Sequence, residues 1–225
     1  MNEKKLLIPF LCSLGSGKNT KVNDDNKEFW QKTAAIYDGF MRGSSGLYAD
    51  IAAESGKYLK KSDYVLELAC GTGKLSTALA PSVRLWEATD FSEKMIDEAK
   101  RKAHSARLHF SVQNATDLPY ADKSFDAVMI TNALHIMPNP KKAMSEIKRV
   151  LKDDGICIAP TFVWNEKRHD GLTLRLMRLF GFKAYNYRSG ERYLKFLSDC
   201  GFKILYSGLL KGGISPLCFA VIEKR

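Results

Sequence analysis

Val65-Leu66-Glu67-Leu68-Ala69-Cys70-Gly71-Thr72-Gly73 runs from a short apolar segment into a glycine-bearing turn, and the helical pattern of Lys74–Leu79 follows until Pro81 stops it. Closely spaced glycines let a backbone approach a ligand, because a Cβ there would collide with it or forbid the turn. Downstream, strand-like and helix-like runs alternate. Strands are predicted at 64–69, 83–89, 108–112, 125–131, 155–161, 202–209 and 217–223, with helices at 92–103, 141–151 and 190–200. Ser92 caps the first of these helices, and Lys94, Asp97, Lys100 and Arg101 face water. Strands separated by helices of about ten to fifteen residues predict a parallel sheet with right-handed crossovers. The last two strands are joined through Gly212-Gly213, short enough for a hairpin, so the final strand is antiparallel. The expectation is an α/β fold: a doubly wound, mostly parallel, seven-stranded sheet.

Upstream of that core, residues 1–28 are expected to form a flexible arm and 29–60 a helical lid, broken by Gly43 and Gly46. Residues 61–225 form the core, with 162–195 as a cover segment on the acceptor side. At 225 residues, 45% hydrophobic and 27% charged, the chain supports a large core and excludes repeat arrays and disulfide-stapled miniproteins. Its longest apolar run, Leu6 to Cys12, is far shorter than the ~20 residues of a membrane span. Lys4, Lys5 and that run resemble a secretory signal but lack a small-x-small cleavage site. Five dispersed cysteines without a CxxC pair imply reduced thiols and a cytoplasmic location, and no metal site emerges. The net charge of +10 is uneven: residues 63–160 are neutral, whereas 161–225 carry 12 Lys and Arg against 5 Asp and Glu.

In such sheets ligands bind beyond the carboxyl ends of the strands, near the topological switch point. The residues so placed are Cys70–Gly73, Asp90–Phe91, Asn114–Ala115 and Asn132–His135. Asp90, seventeen residues past Gly73, ends the second strand, where a carboxylate can accept both hydroxyls of a ribose. A glycine turn followed by that carboxylate fits an adenosine-containing cofactor. Gly15-Ser16-Gly17-Lys18 imitates a phosphate loop, but Cys12 and Asn19 occupy positions that the loop needs for glycine and for Ser or Thr.

VLELACGTGKLS (65–76), ATDFSEKMIDEA (88–99), QNATDLPYADKSFDAVMITNALHIM (113–137) and AMSEIKRVLKDDGICIAP (143–160) resemble, in order and spacing, the motifs of class I S-adenosylmethionine-dependent methyltransferases. Within that family the chain is most similar to the small-molecule branch that includes the ubiquinone and menaquinone biosynthesis enzymes. The resemblance implies a Rossmann-like methyltransferase fold, S-adenosyl-L-methionine as cofactor and S-adenosyl-L-homocysteine as product. By the same resemblance, Glu67 and the Ala69, Gly71, Gly73 loop hold the methionine portion, Asp90 the ribose, and Phe91 lies against the adenine. Asn114 stands where the family usually has an aspartate reaching the adenine amino group, and Ala115 offers a neighbouring N–H. The Asn132 carbonyl meets the ammonium, and Tyr37, in Ala34–Asp38, closes over the cofactor. Ala69 departs from the family's first glycine.

The function expected is in-line transfer of a methyl group to a small-molecule acceptor, a reaction that positioning and desolvation can largely drive. His135, after the fourth strand, is the candidate general base, with pocket wall or turn cap as its alternative. The rivals are a nicotinamide-dependent oxidoreductase, a methyl-donor-binding protein without turnover, and an RNA methyltransferase. A dinucleotide fingerprint needs glycine where Ser76 stands, and TNALHIM (131–137) lacks the Asn/Asp-Pro-Pro-Tyr motif of enzymes that stack a flipped base. Nucleic acid is therefore not favoured as a partner. LTLRLMRLFGF (172–182) reads as a basic amphipathic helix over the sheet edge, with a weak membrane-surface contact as the sharper alternative.

Overall fold

A computed structural model describes residues 27–40, 45–103, 105–164, 185–186, 188–211 and 216–225. Two helices, α1 (Lys27–Phe40) and α2 (Ser45–Gly56), precede the core. The core then runs β1 (Tyr64–Leu68), α3 (Lys74–Leu79), β2 (Leu85–Asp90), α4 (Glu93–Lys102), β3 (Leu108–Val112), β4 (Phe125–Ile130), α5 (Pro140–Val150) and β5 (Leu151–Ile158). It closes with β6 (Thr161–Phe162), α6 (Gly190–Asp199), β7 (Phe202–Leu210) and β8 (Leu217–Lys224).

The sheet order is β3-β2-β1-β4-β5-β8, with β7 on the outer side of β8. Pairings among β1 to β5 are parallel, and β8 runs antiparallel to its neighbours. The short β6 gives the sheet eight strands where seven are expected. However, β5 and β6 pair with β8 in one register, Ile158 with Val221 and Thr161 with Cys218. They are one strand interrupted at Pro160, which has no N–H to give to a ladder.

Residues 65–68 of β1 are all buried, the pattern of a strand covered on both faces. Leu66 and Leu68 pack with Val128, Ile130, Met144 and Leu197, whereas Val65 packs with Ile51, Trp86 and Met129. The two core layers therefore separate by the period-two alternation of the central strands. Ser92 caps α4 as expected, accepting from the Met95 N–H at 3.4 Å, and the four polar residues of α4 named above are exposed.

The lid starts earlier than expected, since α1 begins at Lys27, inside the stretch read as an arm. Residues 1–26, the 165–184 part of the cover segment (including 172–182) and Gly212-Gly213 lie outside the described residues. The flanks of that cover segment converge: the Trp164 N–H donates to the Arg188 carbonyl at 3.0 Å, and the His135 carbonyl accepts from Tyr185 and Asn186 at 3.1 and 3.0 Å. Among the described residues, no helix is long and apolar enough to cross a membrane.

Candidate active site

The chain reverses its winding between β1 and β4, and a cavity of about 210 Å³ opens there, against the ends of β1, β2 and β4. Glu67, Ala69, Gly71, Asp90, Phe91, Asn114, Ala115 and Asn132, all read from the sequence, line it together.

The turn after β1 is left-handed at every second residue, with φ of 55° at Ala69, 56° at Gly71 and 75° at Gly73. The two glycines serve different ends. A Cβ at Gly73 would meet the Phe110 ring at 3.0 Å and the Ala99 Cβ at 3.1 Å, so this glycine lets α3 pack on the sheet. A Cβ at Gly71 would meet nothing within 4 Å, so there only the backbone angle and the open space beside the cavity favour glycine. Ala69 takes the same strained region with a methyl group attached.

Asp90 ties this turn to the next strand. Its Oδ2 accepts from the Gly71 N–H at 2.9 Å and its Oδ1 from the Ser92 N–H at 2.9 Å. Burial raises its pKa, opposed by the backbone N–H groups of Ser92, Gly71 and Phe91. Glu67 is 2% exposed, and its Oε2 accepts from Ser76 Oγ at 2.5 Å and Trp86 Nε1 at 2.9 Å. The Gly71 amide donates to Asp90 and not to Glu67. Burial pushes the Glu67 carboxyl up to about 7, with the Asp90 charge adding to the rise against the Ser76 and Trp86 bonds.

Asn114 Oδ1 accepts from both the N–H and the Oγ1 of Thr116, each at 2.9 Å. The oxygen expected to face an adenine amino group is thus folded into its own turn, a competition typical of asparagine. Asn132 has φ 52°, its N–H donates to the Pro160 carbonyl at 2.9 Å, and its Oδ1 accepts from the Phe162 N–H at 3.1 Å. Among the described residues, the buried Asn132 Nδ2 and the neighbouring Thr131 Oγ1 find no hydrogen-bond partner.

His135 is not among the residues that line the cavity. It is 8% exposed, its Nδ1 lies 3.0 Å from Thr161 Oγ1, and its ring centroid lies 5.2 Å from that of Trp164. Burial and, secondarily, the Arg188 charge push its pKa down to about 3, so it is neutral across the working range of a base. Its backbone carbonyl accepts from the Tyr185 and Asn186 N–H groups. Tyr37 belongs to α1, and its side chain lies outside the described set.

From the lid the sequence reading named only Tyr37, and it left out Lys74. Lys27, Trp30, Tyr48 and Lys74 also line the cavity. The Lys27 ammonium lies 4.4 Å from the Phe91 ring centroid and 3.4 Å from Glu93, which also accepts from Gln31 Nε2 at 2.8 Å. Lys74 was inside the quoted motif, but nothing local marks a lysine as turned toward a cavity. Among the described residues, no group of His, Cys, Asp and Glu side chains could hold a metal ion.

Residues 66–159 match the family described as "Methyltransferase domain". Over that span the chain is similar to methyltransferase domains. Among its curated relatives are the demethylmenaquinone methyltransferase of Clavibacter sepedonicus, 46% identical over 92 residues (40% of this chain and 38% of that one). The ubiquinone/menaquinone biosynthesis C-methyltransferase UbiE of Geotalea daltonii is 26% identical over 213 residues, 85% of this chain and 90% of its own. The chain spans less than half the length of several curated relatives it matches, 38%, 43% and 49% for three of them. Among solved structures, DhpI in complex with SAH superposes with TM-score 0.69 at 21% identity, covering 89% of this chain and 95% of DhpI. The fold is the one read from the sequence.

Proposed function

We propose that this chain binds S-adenosylmethionine in the crevice at the ends of β1, β2 and β4 and transfers its methyl group to a small-molecule acceptor. The observation that supports this reading best is Asp90 bonded to the Gly71 amide at the floor of a lined cavity. The residues present fit the cofactor. One carboxylate is aimed along a glycine turn for a diol and a second is buried beside it for an ammonium. The space above Gly71 is open, and among the described residues the buried Thr131 Oγ1 and Asn132 Nδ2 find no partner.

In this assignment Asp90 accepts the ribose hydroxyls and Phe91 packs on the adenine. The Ala115 N–H meets the adenine edge, with Asn114 beside it and its oxygen held by Thr116. The Ala69–Gly73 turn wraps the methionyl portion, whose ammonium lies between Glu67 and the Asn132 carbonyl, and Tyr37 closes from α1. When bound, the sulfonium supplies an electrophilic methyl carbon whose transfer dissipates a positive charge. The chain positions that carbon and excludes water through α1 and α2, and a base is needed only where the acceptor must lose a proton. His135, neutral and outside the cavity, fits a positioning role better than that of a base.

The relatives' names make quinols the first acceptors to test, followed by phenols, thiols and amines, with S-adenosylhomocysteine release as the signal. Calorimetry with S-adenosylhomocysteine and NAD separates donor binding from a nicotinamide site: heat with the first alone is expected, and heat with NAD alone would overturn the reading. We further place the chain in the cytoplasm, with stretch 172–182 in weak contact with anionic membrane. Absence of association with anionic liposomes at low salt would remove that contact.

A further inference from the structure

Two lysines line the cavity, and they differ in what neutralises them. Lys27 is paired with Glu93 at 3.4 Å. Among the described residues no carboxylate pairs with Lys74, and its ammonium instead lies 4.9 Å from the centroid of the Tyr48 ring. Tyr48 comes from α2 and Lys74 from the first position of α3, next to Gly73, so the lid and the glycine turn meet at this pair. An aromatic face steadies a lysine head without quenching its charge, leaving it able to attract an anion. The cavity's two acids, Glu67 and Asp90, already serve the cationic and hydroxyl groups of the donor in the assignment above. An amino-acid head also carries a carboxylate, and a charge-assisted bond is the strongest polar contact available to it.

We infer that Lys74, held against Tyr48, binds the α-carboxylate of the donor's amino-acid head and so selects nucleosides that carry a complete amino acid. This assignment rests on the donor reading above and adds to it a residue that fixes specificity within the donor. It also gives the lid a function: α2 contributes Tyr48 to the contact, so carboxylate binding draws the lid onto the turn.

The test compares two ligands by calorimetry on the full chain: S-adenosylhomocysteine, which has the carboxylate, and 5′-methylthioadenosine, which has no amino-acid head. Lys74 is exposed, so substitution there leaves the core intact. Lys74→Met is expected to weaken S-adenosylhomocysteine binding about tenfold, the size of one charged hydrogen bond, while 5′-methylthioadenosine stays within about twofold. Lys74→Arg should restore most of the loss, and Tyr48→Leu should cost S-adenosylhomocysteine about threefold through the missing ring. Equal losses for the two ligands, or no loss for either, overturn the assignment and leave the donor reading standing. A wild-type chain that binds neither compound overturns the donor reading, and this assignment with it.

Discussion

The backbone N–H of Gly71 donates to Asp90 Oδ2 at 2.9 Å, joining the turn after β1 to the end of β2 across the cavity floor. The contact fixes the carboxylate's orientation before any ligand arrives. Asp90→Ala is therefore expected to weaken S-adenosylhomocysteine binding about a hundredfold, roughly two charge-assisted hydrogen bonds, with Asp90→Asn in between. Calorimetry reads the loss directly. An unchanged affinity for Asp90→Ala would remove the ribose role.

Ala69 adopts φ 55° where the resemblance expects glycine. A side chain in this region costs about 1–2 kcal/mol, part of which glycine returns through its freer unfolded chain. Ala69→Gly should therefore stabilise the fold by about 0.5–1 kcal/mol. A urea midpoint shifted upward with unchanged slope is the expected result.

The neighbouring glycines should respond differently to the same substitution. Gly73→Ala places a Cβ at 3.0 Å from Phe110 in addition to the strained angle, and a loss of about 2–3 kcal/mol is expected in a urea titration. Gly71→Ala finds open space, so it should cost only the strain, about 1 kcal/mol, while its methyl group hinders ligand binding.

Glu67 and His135 give opposite pH signatures. The Glu67 carboxyl stands at about 7, above its ordinary value of 4.5, so its contribution to stability is full below about 4.5 and is lost as pH rises through 7. The Glu67→Gln variant should escape that loss. Its stability relative to wild type should therefore rise between pH 5 and 8 in paired denaturation curves. Affinity for a ligand ammonium follows the ionised carboxylate, so wild-type S-adenosylhomocysteine binding should strengthen through pH 7.

His135 stands at about 3, below its ordinary 6.5, so its contribution is full above 6.5 and lost as pH falls toward 3. Turnover should show no histidine step near pH 6.5, and His135→Asn should flatten the acid limb of the stability profile.

The order of elements and most of the cavity floor were readable because each rests on local chemistry. Gly71, Gly73 and Asp90 sit at strand ends that composition alone delimits, and Ser92 caps the helix its hydroxyl predicts. What escaped depended on distant partners. Strand β5 begins at Leu151 rather than 155 because Leu151 pairs with Phe125 of β4 ahead of a register shift, and β6 continues it against β8, some sixty residues on. Whether Glu67 or Asp90 would hold the Gly71 amide could not be told from two acids of equal charge. Lys27 and Tyr48 reach the cavity only because α1 and α2 fold back over α4 and α3, and Lys74 lines it beside the Tyr48 ring that α2 brings.

Trp164 and Arg188 are bonded backbone to backbone, and the His135 carbonyl grips Tyr185 and Asn186 beside them. These bonds hold the residue just past β6 beside the residues that lead into α6. Closing a longer or shorter excursion at such a point changes the entropy only logarithmically with length. A change of length between those endpoints should consequently cost little stability and leave the contact between Asp90 and Gly71 undisturbed.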